Sequence, residues 1–123
     1  MGNAQSANLV EGGVALVDEA VVESLRAIFG DATGALMSKT RAIITERLGQ
    51  MDGVTASGEV ETLGRLAHEV GGMSAQVGLS RLSATALSLE ALCGRSPTGD
   101  AVRRAYAEVA SVARASLERL PQA

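Results

Sequence analysis

The sequence predicts an all-α fold, an antiparallel up-down four-helix bundle with an additional short N-terminal helix, and three observations carry that prediction. Apolar residues recur at alternating spacings of three and four along most of the chain, the period of a helix with one buried stripe. The interruptions are short and rich in glycine and serine, so successive helices have to pack as antiparallel neighbours. With one Phe, one Tyr and no Trp, the core must be built from Leu, Val, Ala, Ile and Met, the usual stock of helical bundles.

At 123 residues and 46% hydrophobic composition, the chain is long enough to close one core without staples. A single helical domain is expected over residues 14–121. Residues 1–13, MGNAQSANLVEGG, are small and polar without a period and read as a flexible arm. Gly2 and Ser6 fit the myristoylation pattern, a six-residue match that chance supplies readily.

Each element has its own signals. From Val14 to Phe29, the positions Val17, Val21, Val22, Leu25, Ile28 and Phe29 describe a first helix, with Asp18 and Glu19 at its positive end and Gly30 to stop it. Asp31 is placed to cap a second helix whose stripe runs Leu36, Met37, Thr40, Ile43, Ile44, Arg47 or Leu48, and Met51. Asp52 to Gly58, with two glycines and a serine, breaks the pattern and predicts a loop. A third helix follows and stops at Gly78, and Ser80 is available to cap the fourth, which carries Leu82, Ala86, Leu89 and Cys93. Gly94 ends it. Ser96 and Pro97 give the cap and first-turn signal of a last helix patterned by Val102, Ala105, Tyr106, Val109, Leu117 and Leu120.

The third helix holds the chain's single histidine. Its stripe is Val60, Leu63, Ala67, Val70, Ser74 and Val77, with Leu66 and Met73 widening it, and at about 100° per residue His68 projects roughly 140° from the stripe centre. It points outward. Gly64, Gly71, Gly72 and Ala75 are expected on the same outer face, leaving the imidazole on nearly bare backbone. Each helical glycine costs about 1 kcal/mol relative to alanine. A partner that must bring its own backbone close to the imidazole gives that cost a use.

The stretch Ala67, His68, Val70, Gly72, Ser74, Ala75 and Gly78, followed by Leu82, Leu89 and Glu90, resembles the motif of histidine-containing phosphotransfer (HPt) domains of bacterial multistep phosphorelays. In that pattern a lysine stands three residues after the histidine; here the position is Gly71. The lysine is a cation that balances the incoming phosphoryl group, and Arg65, one turn before His68, is the available substitute. The resemblance implies that Nε2 of His68 accepts a phosphoryl group from a receiver-domain aspartate and passes it to another response-regulator aspartate. It also implies response-regulator receivers and a hybrid sensor histidine kinase as partners, with Gly71, Gly72, Arg65, Ser74, Gln76 and Leu79 at the docking face. No cofactor is expected in this chain, the divalent metal belonging to the receiver.

Glu90 lies twenty-two residues after His68, at the edge of the buried stripe of its helix and facing a neighbour. A carboxylate there can accept the Nδ1 hydrogen of His68 and leave Nε2 with a free lone pair. On spacing alone a surface glutamate bonded to water fits as well; the resemblance, whose pattern has a Glu or Gln on the histidine ring, favours the pairing.

Other classes are disfavoured. Net charge is −3 with both signs interspersed, which argues against nucleic acid. Gly71 and Gly72 lack the strand and lysine of a phosphate-binding loop, and no metal-ligand cluster is spaced along the chain. The protein is expected neither to bind ATP nor to phosphorylate itself: a phosphohistidine carrier rather than an autonomous catalyst, with no kinase domain. The single Cys93 falls in an apolar helical position and reads as a small hydrophobe in a reducing compartment. No run of eighteen apolar residues occurs, so no membrane association is expected and the cytoplasm is the expected location. A monomer is expected. Three alternatives stand beside this reading: a pseudo-HPt adaptor that binds receiver or kinase domains without transfer, a histidine kinase dimerisation-type hairpin suggested by His68-Glu69, and a plain helical adaptor.

Overall fold

The computed structural model describes residues 14–120; the expected arm, residues 1–13, and the last three residues lie outside them. Five α-helices follow one another: α1 (Glu19–Phe29), α2 (Thr33–Ser57), α3 (Val60–Gln76), α4 (Ser80–Cys93) and α5 (Gly99–Arg119), with a 3-10 turn, Gly30–Ala32, between the first two.

Helix α1 begins five residues later than its apolar pattern suggests. The Asp18 side chain caps it by accepting from the Ala20 amide at 3.0 Å. The carbonyls before it are committed to α4: the Arg81 amide donates to Ala15 O at 3.0 Å, and Arg81 Nε and Nη2 both donate to Val14 O, the former at 2.8 Å. A helix over 14–18 would take those acceptors for itself. The segment instead buries Val17 and lies against the turn after α3, where the Asp18 amide donates to Gly78 O at 2.7 Å. Gly78 has φ +83°, and a Cβ on it would stand 3.0 Å from Asp18 O. Only glycine satisfies both constraints without strain.

Helix α2 corrects two expectations. Asp31 does not cap it; the residue lies within the 3-10 turn, and Thr33 Oγ1 donates to Gly30 O at 2.8 Å as the helix starts. Residues 52–57 are helical rather than a loop. Gly49 and Gly53 have no neighbouring atoms within 4 Å of where a Cβ would stand, so their helix penalty of about 1 kcal/mol each falls on an exposed face. It is outweighed by Met51, fully buried, and by Val54 against the core. Gly58, at φ +79°, is the residue that stops the helix.

Two other caps differ in detail. Ser80 is the first residue of α4 and makes no capping bond. Thr98, not Ser96, caps α5, its Oγ1 accepting from the Ala101 amide at 3.1 Å.

Short turns make α2 to α5 antiparallel neighbours in sequence order, and side-chain pairs show it. Position 64 on α3 meets 93 on α4, and 71 meets 87, so numbering runs in opposite directions. The bundle closes where α2 meets α5: Tyr106 OH donates to Leu48 O at 3.0 Å, and Arg41 Nη2 donates to Leu117 O at 3.1 Å and Leu120 O at 2.7 Å, satisfying carbonyls at the end of α5. Inside lie Met37 and Ile44 of α2, Leu63 and Val70 of α3, Leu82 and Leu89 of α4 and Val109 of α5, all essentially without solvent contact. Each contributes about 1.5–3 kcal/mol by burial, and together they fix which faces of α3 and α4 remain outside.

Candidate functional site

His68 stands mid-helix on the outer face of α3, with 69% of its side chain exposed. Its backbone is held from beneath by Ala67 and Val70, both fully buried, so the ring is presented to solvent from a rigid base. From α4, Glu90 brings Oε1 to 3.1 Å from His68 Nδ1. A carboxylate only accepts, so this contact requires the hydrogen on Nδ1, and in the neutral ring that leaves the Nε2 lone pair free. Glu90 is 40% exposed; the bond is therefore a surface one, valuable for orientation more than for stability.

The glycines are arranged otherwise than the outer-face reading has it. Gly64 and Gly71 are buried against α4. A Cβ on Gly64 would stand 3.2 Å from Cys93 Cβ, and one on Gly71 would stand 2.7 Å and 2.9 Å from Leu87 Cδ2 and Cγ. Ser83 Oγ adds a bond to Gly71 O at 2.9 Å. Gly64, Ala67, Gly71 and Ser74 thus form the buried edge along which α3 and α4 come close. That proximity brings Glu90 within reach of the ring. Gly72 and Ala75 do face solvent, and nothing lies within 4 Å of a Cβ at 72.

Three further expectations change. Ser74 is fully buried and cannot reach a phosphate on His68; its Oγ has no hydrogen-bond partner. Leu79 is also fully buried, in the turn to α4, and offers nothing to a docking protein. Arg65 is exposed but directed at Glu69, with Nη1 3.4 Å from Oε2, while Arg47 Nε of α2 holds the other oxygen at 2.8 Å. The two guanidiniums share one carboxylate, and no cation is turned toward the imidazole by these contacts. Gln76 remains exposed at the end of α3.

The residue that sequence reasoning missed is Leu87. It is 42% exposed, one of three large apolar side chains so exposed among the described residues, and it lies over Gly71, one turn from Glu90. Its position in a mixed helix, between exposed and buried neighbours, gave no periodic signal; the glycine opposite it was the available clue. Nearby, Cys93 is a free thiol, packed on Gly64, and burial followed by the Glu90 charge raises its pKa. Among the described residues no group of three or more His, Cys, Asp or Glu side chains is placed to hold a metal ion, and no helix is long and apolar enough to cross a membrane.

A helical bundle here presents one oriented, solvent-facing imidazole, the group that a transfer through histidine needs. The Hpt domain family model matches residues 19–123, and the chain belongs to that family. It is a histidine phosphotransfer carrier of phosphorelays, a family whose members work with receiver domains and histidine kinases. Among solved structures, it is similar to the crystal structure of histidine-containing phosphotransfer protein B (HptB) from Pseudomonas aeruginosa PAO1. The TM-score is 0.64 at 22% identity, over 85% of this chain and 96% of that one, a likeness of fold. A search of curated proteins gave no significant match.

Proposed function

We propose that His68 is the phosphoacceptor and that Glu90 orients it. Nε2 attacks the phosphorus of a phospho-aspartate on a receiver domain in line; the N–P bond forms, the P–O bond breaks, and the aspartate leaves as a carboxylate. Positive charge that develops on the ring is offset by Glu90 at Nδ1. The reverse sequence delivers the phosphoryl group to the aspartate of a second response regulator. Nucleophile and positioning come from this chain, and the divalent metal that neutralises the phosphoryl oxygens is held by the receiver. The carrier works as a monomer with a hybrid sensor kinase and response regulators, in the cytoplasm, a compartment a free Cys93 suits.

The observation that carries this reading is the 3.1 Å contact between His68 Nδ1 and Glu90 Oε1 on a ring that stands largely in solvent. The test is transfer of labelled phosphate from phosphorylated receivers to the purified protein. Acid-labile label on wild type and none on His68→Gln is the expected result. Receiver binding without label on wild type points instead to a pseudo-HPt adaptor, the alternative that the glycine at position 71 favours. A stable dimer in solution would bring back the kinase-type hairpin.

A further inference from the structure

Any donor that brings a phosphoryl group to His68 Nε2 must cover the surface about one helical turn around it, some 5–6 Å in each direction. That surface has two unlike flanks. Toward α2 it is charged, but Arg47 and Arg65 are each paired with Glu69. Toward α4, beyond Glu90, the exposed residues are Ala84, Leu87, Ser88 and Ala91, uncharged and small except for Leu87. The other large exposed apolar side chains among the described residues, Ile28 and Phe29, belong to the end of α1.

Leu87 is also coupled to position 71. Its Cδ2 and Cγ occupy space that a side chain at 71 would need, at 2.7 Å and 2.9 Å from a Cβ there. A lysine at 71 would require Leu87 to leave this position. Where a cation would stand beside the phosphoacceptor, this chain sets an apolar side chain from the neighbouring helix.

We infer that Leu87, seated on Gly71, is the specificity-determining contact of the phosphoacceptor face, and that the receiver docks over the α4 flank with an apolar side chain of its own against Leu87. This rests on His68 being the phosphoacceptor. The receiver that fits presents an apolar group at that point of its docking face, and a receiver with an acidic group there is discriminated against, because burying that charge on Leu87 leaves it unpaired.

The test compares two phosphodonors: phosphoramidate, which needs no docking surface, and each phosphorylated receiver domain of the source organism. Leu87→Ala removes the apolar side chain, and Leu87→Gln keeps a stem over Gly71 while making the tip polar. For both, the half-saturating concentration of the preferred receiver is expected to rise at least about fivefold, and the ratio of receiver-driven to phosphoramidate-driven labelling at low receiver concentration to fall to match. Leu87→Met is expected to stay within about twofold of wild type. The double variant Gly71→Lys/Leu87→Ala, which makes room for the cation, is expected to change the order of preference among receivers. An unchanged half-saturation for Leu87→Gln overturns the role of Leu87 and leaves the carrier intact. Wild type unlabelled by phosphoramidate and by every receiver overturns the carrier, and the role of Leu87 with it.

Discussion

Two side chains on neighbouring helices do the chemistry proposed for this protein, and each of them can be weighed separately. Glu90→Gln keeps an oxygen acceptor but removes the charge; Glu90→Ala removes both. Phosphoryl uptake by His68 is expected to slow on the order of tenfold in the alanine variant, the weight of one charge-assisted hydrogen bond at a half-exposed site, with a smaller loss in the glutamine variant. Single-turnover labelling measures it, and equal rates in all three proteins would remove Glu90 from the mechanism. Ser74 makes the opposite case. Its hydroxyl is buried without a partner, so Ser74→Ala is expected to leave stability unchanged or raise it by up to about 1 kcal/mol, read as the urea midpoint. A clear loss of stability would mean that the hydroxyl has a partner after all. Cys93 is half-buried with its thiol held in the protonated form above its ordinary range. Because the thiolate is the reactive species, a disulfide reagent at pH 8 is expected to label native protein at least several-fold more slowly than urea-unfolded protein. Labelling that is equally fast in both states would contradict the packing on Gly64.

At the scale of elements, much of the fold was legible in the sequence, and what was not has a physical reason. The buried stripe of α3, Leu63, Ala67, Val70 and Ser74, follows from spacing alone, as does the outward direction of His68. Glu90 fell at the right separation for a hairpin of two helices joined by residues 77–79. Periodicity cannot say which of two glycines on one helix touches a neighbour, since that depends on the rotation of α3 against α4; Gly64 and Gly71 were placed outside and lie inside. The loop expected at 52–58 failed because local glycine content was set against tertiary burial, and the burial of Met51 and Val54 won. That conclusion has its own test. Gly53→Ala is expected to stabilise the protein by about 0.4–1 kcal/mol, the gain for an exposed helical site. Gly58→Ala, at φ +79°, is expected to destabilise it by about 1–2 kcal/mol. Thermal or urea unfolding of the two variants with shifts of the same sign would put the helix end in the wrong place.

For the whole molecule, the segment before α1 determines how α3 and α4 are joined at the end of the bundle nearest Gly78. Val14 and Ala15 offer their carbonyls to Arg81, and Asp18 returns an amide bond to Gly78 O, so residues 14–18 lace over the turn that follows the His68 helix. No periodic signal marks such a contact, because it is made by backbone groups sixty residues or more from their partners. Arg81 is the side chain that hydrogen-bonds to this segment. Replacing it with methionine keeps the stem against its neighbours and removes both guanidinium bonds. Amide exchange at Val17 to Val22 is then expected to accelerate by about tenfold, since the guanidinium bonds join the residues just before this stretch to α4, while amides of Leu63 to Val70 keep their protection. Hydrogen exchange read residue by residue distinguishes this from general destabilisation, which would speed both segments together. If neither segment changes, the backbone bonds from the Arg81 and Asp18 amides suffice to hold residues 14–18 in place, and the guanidinium is incidental to them.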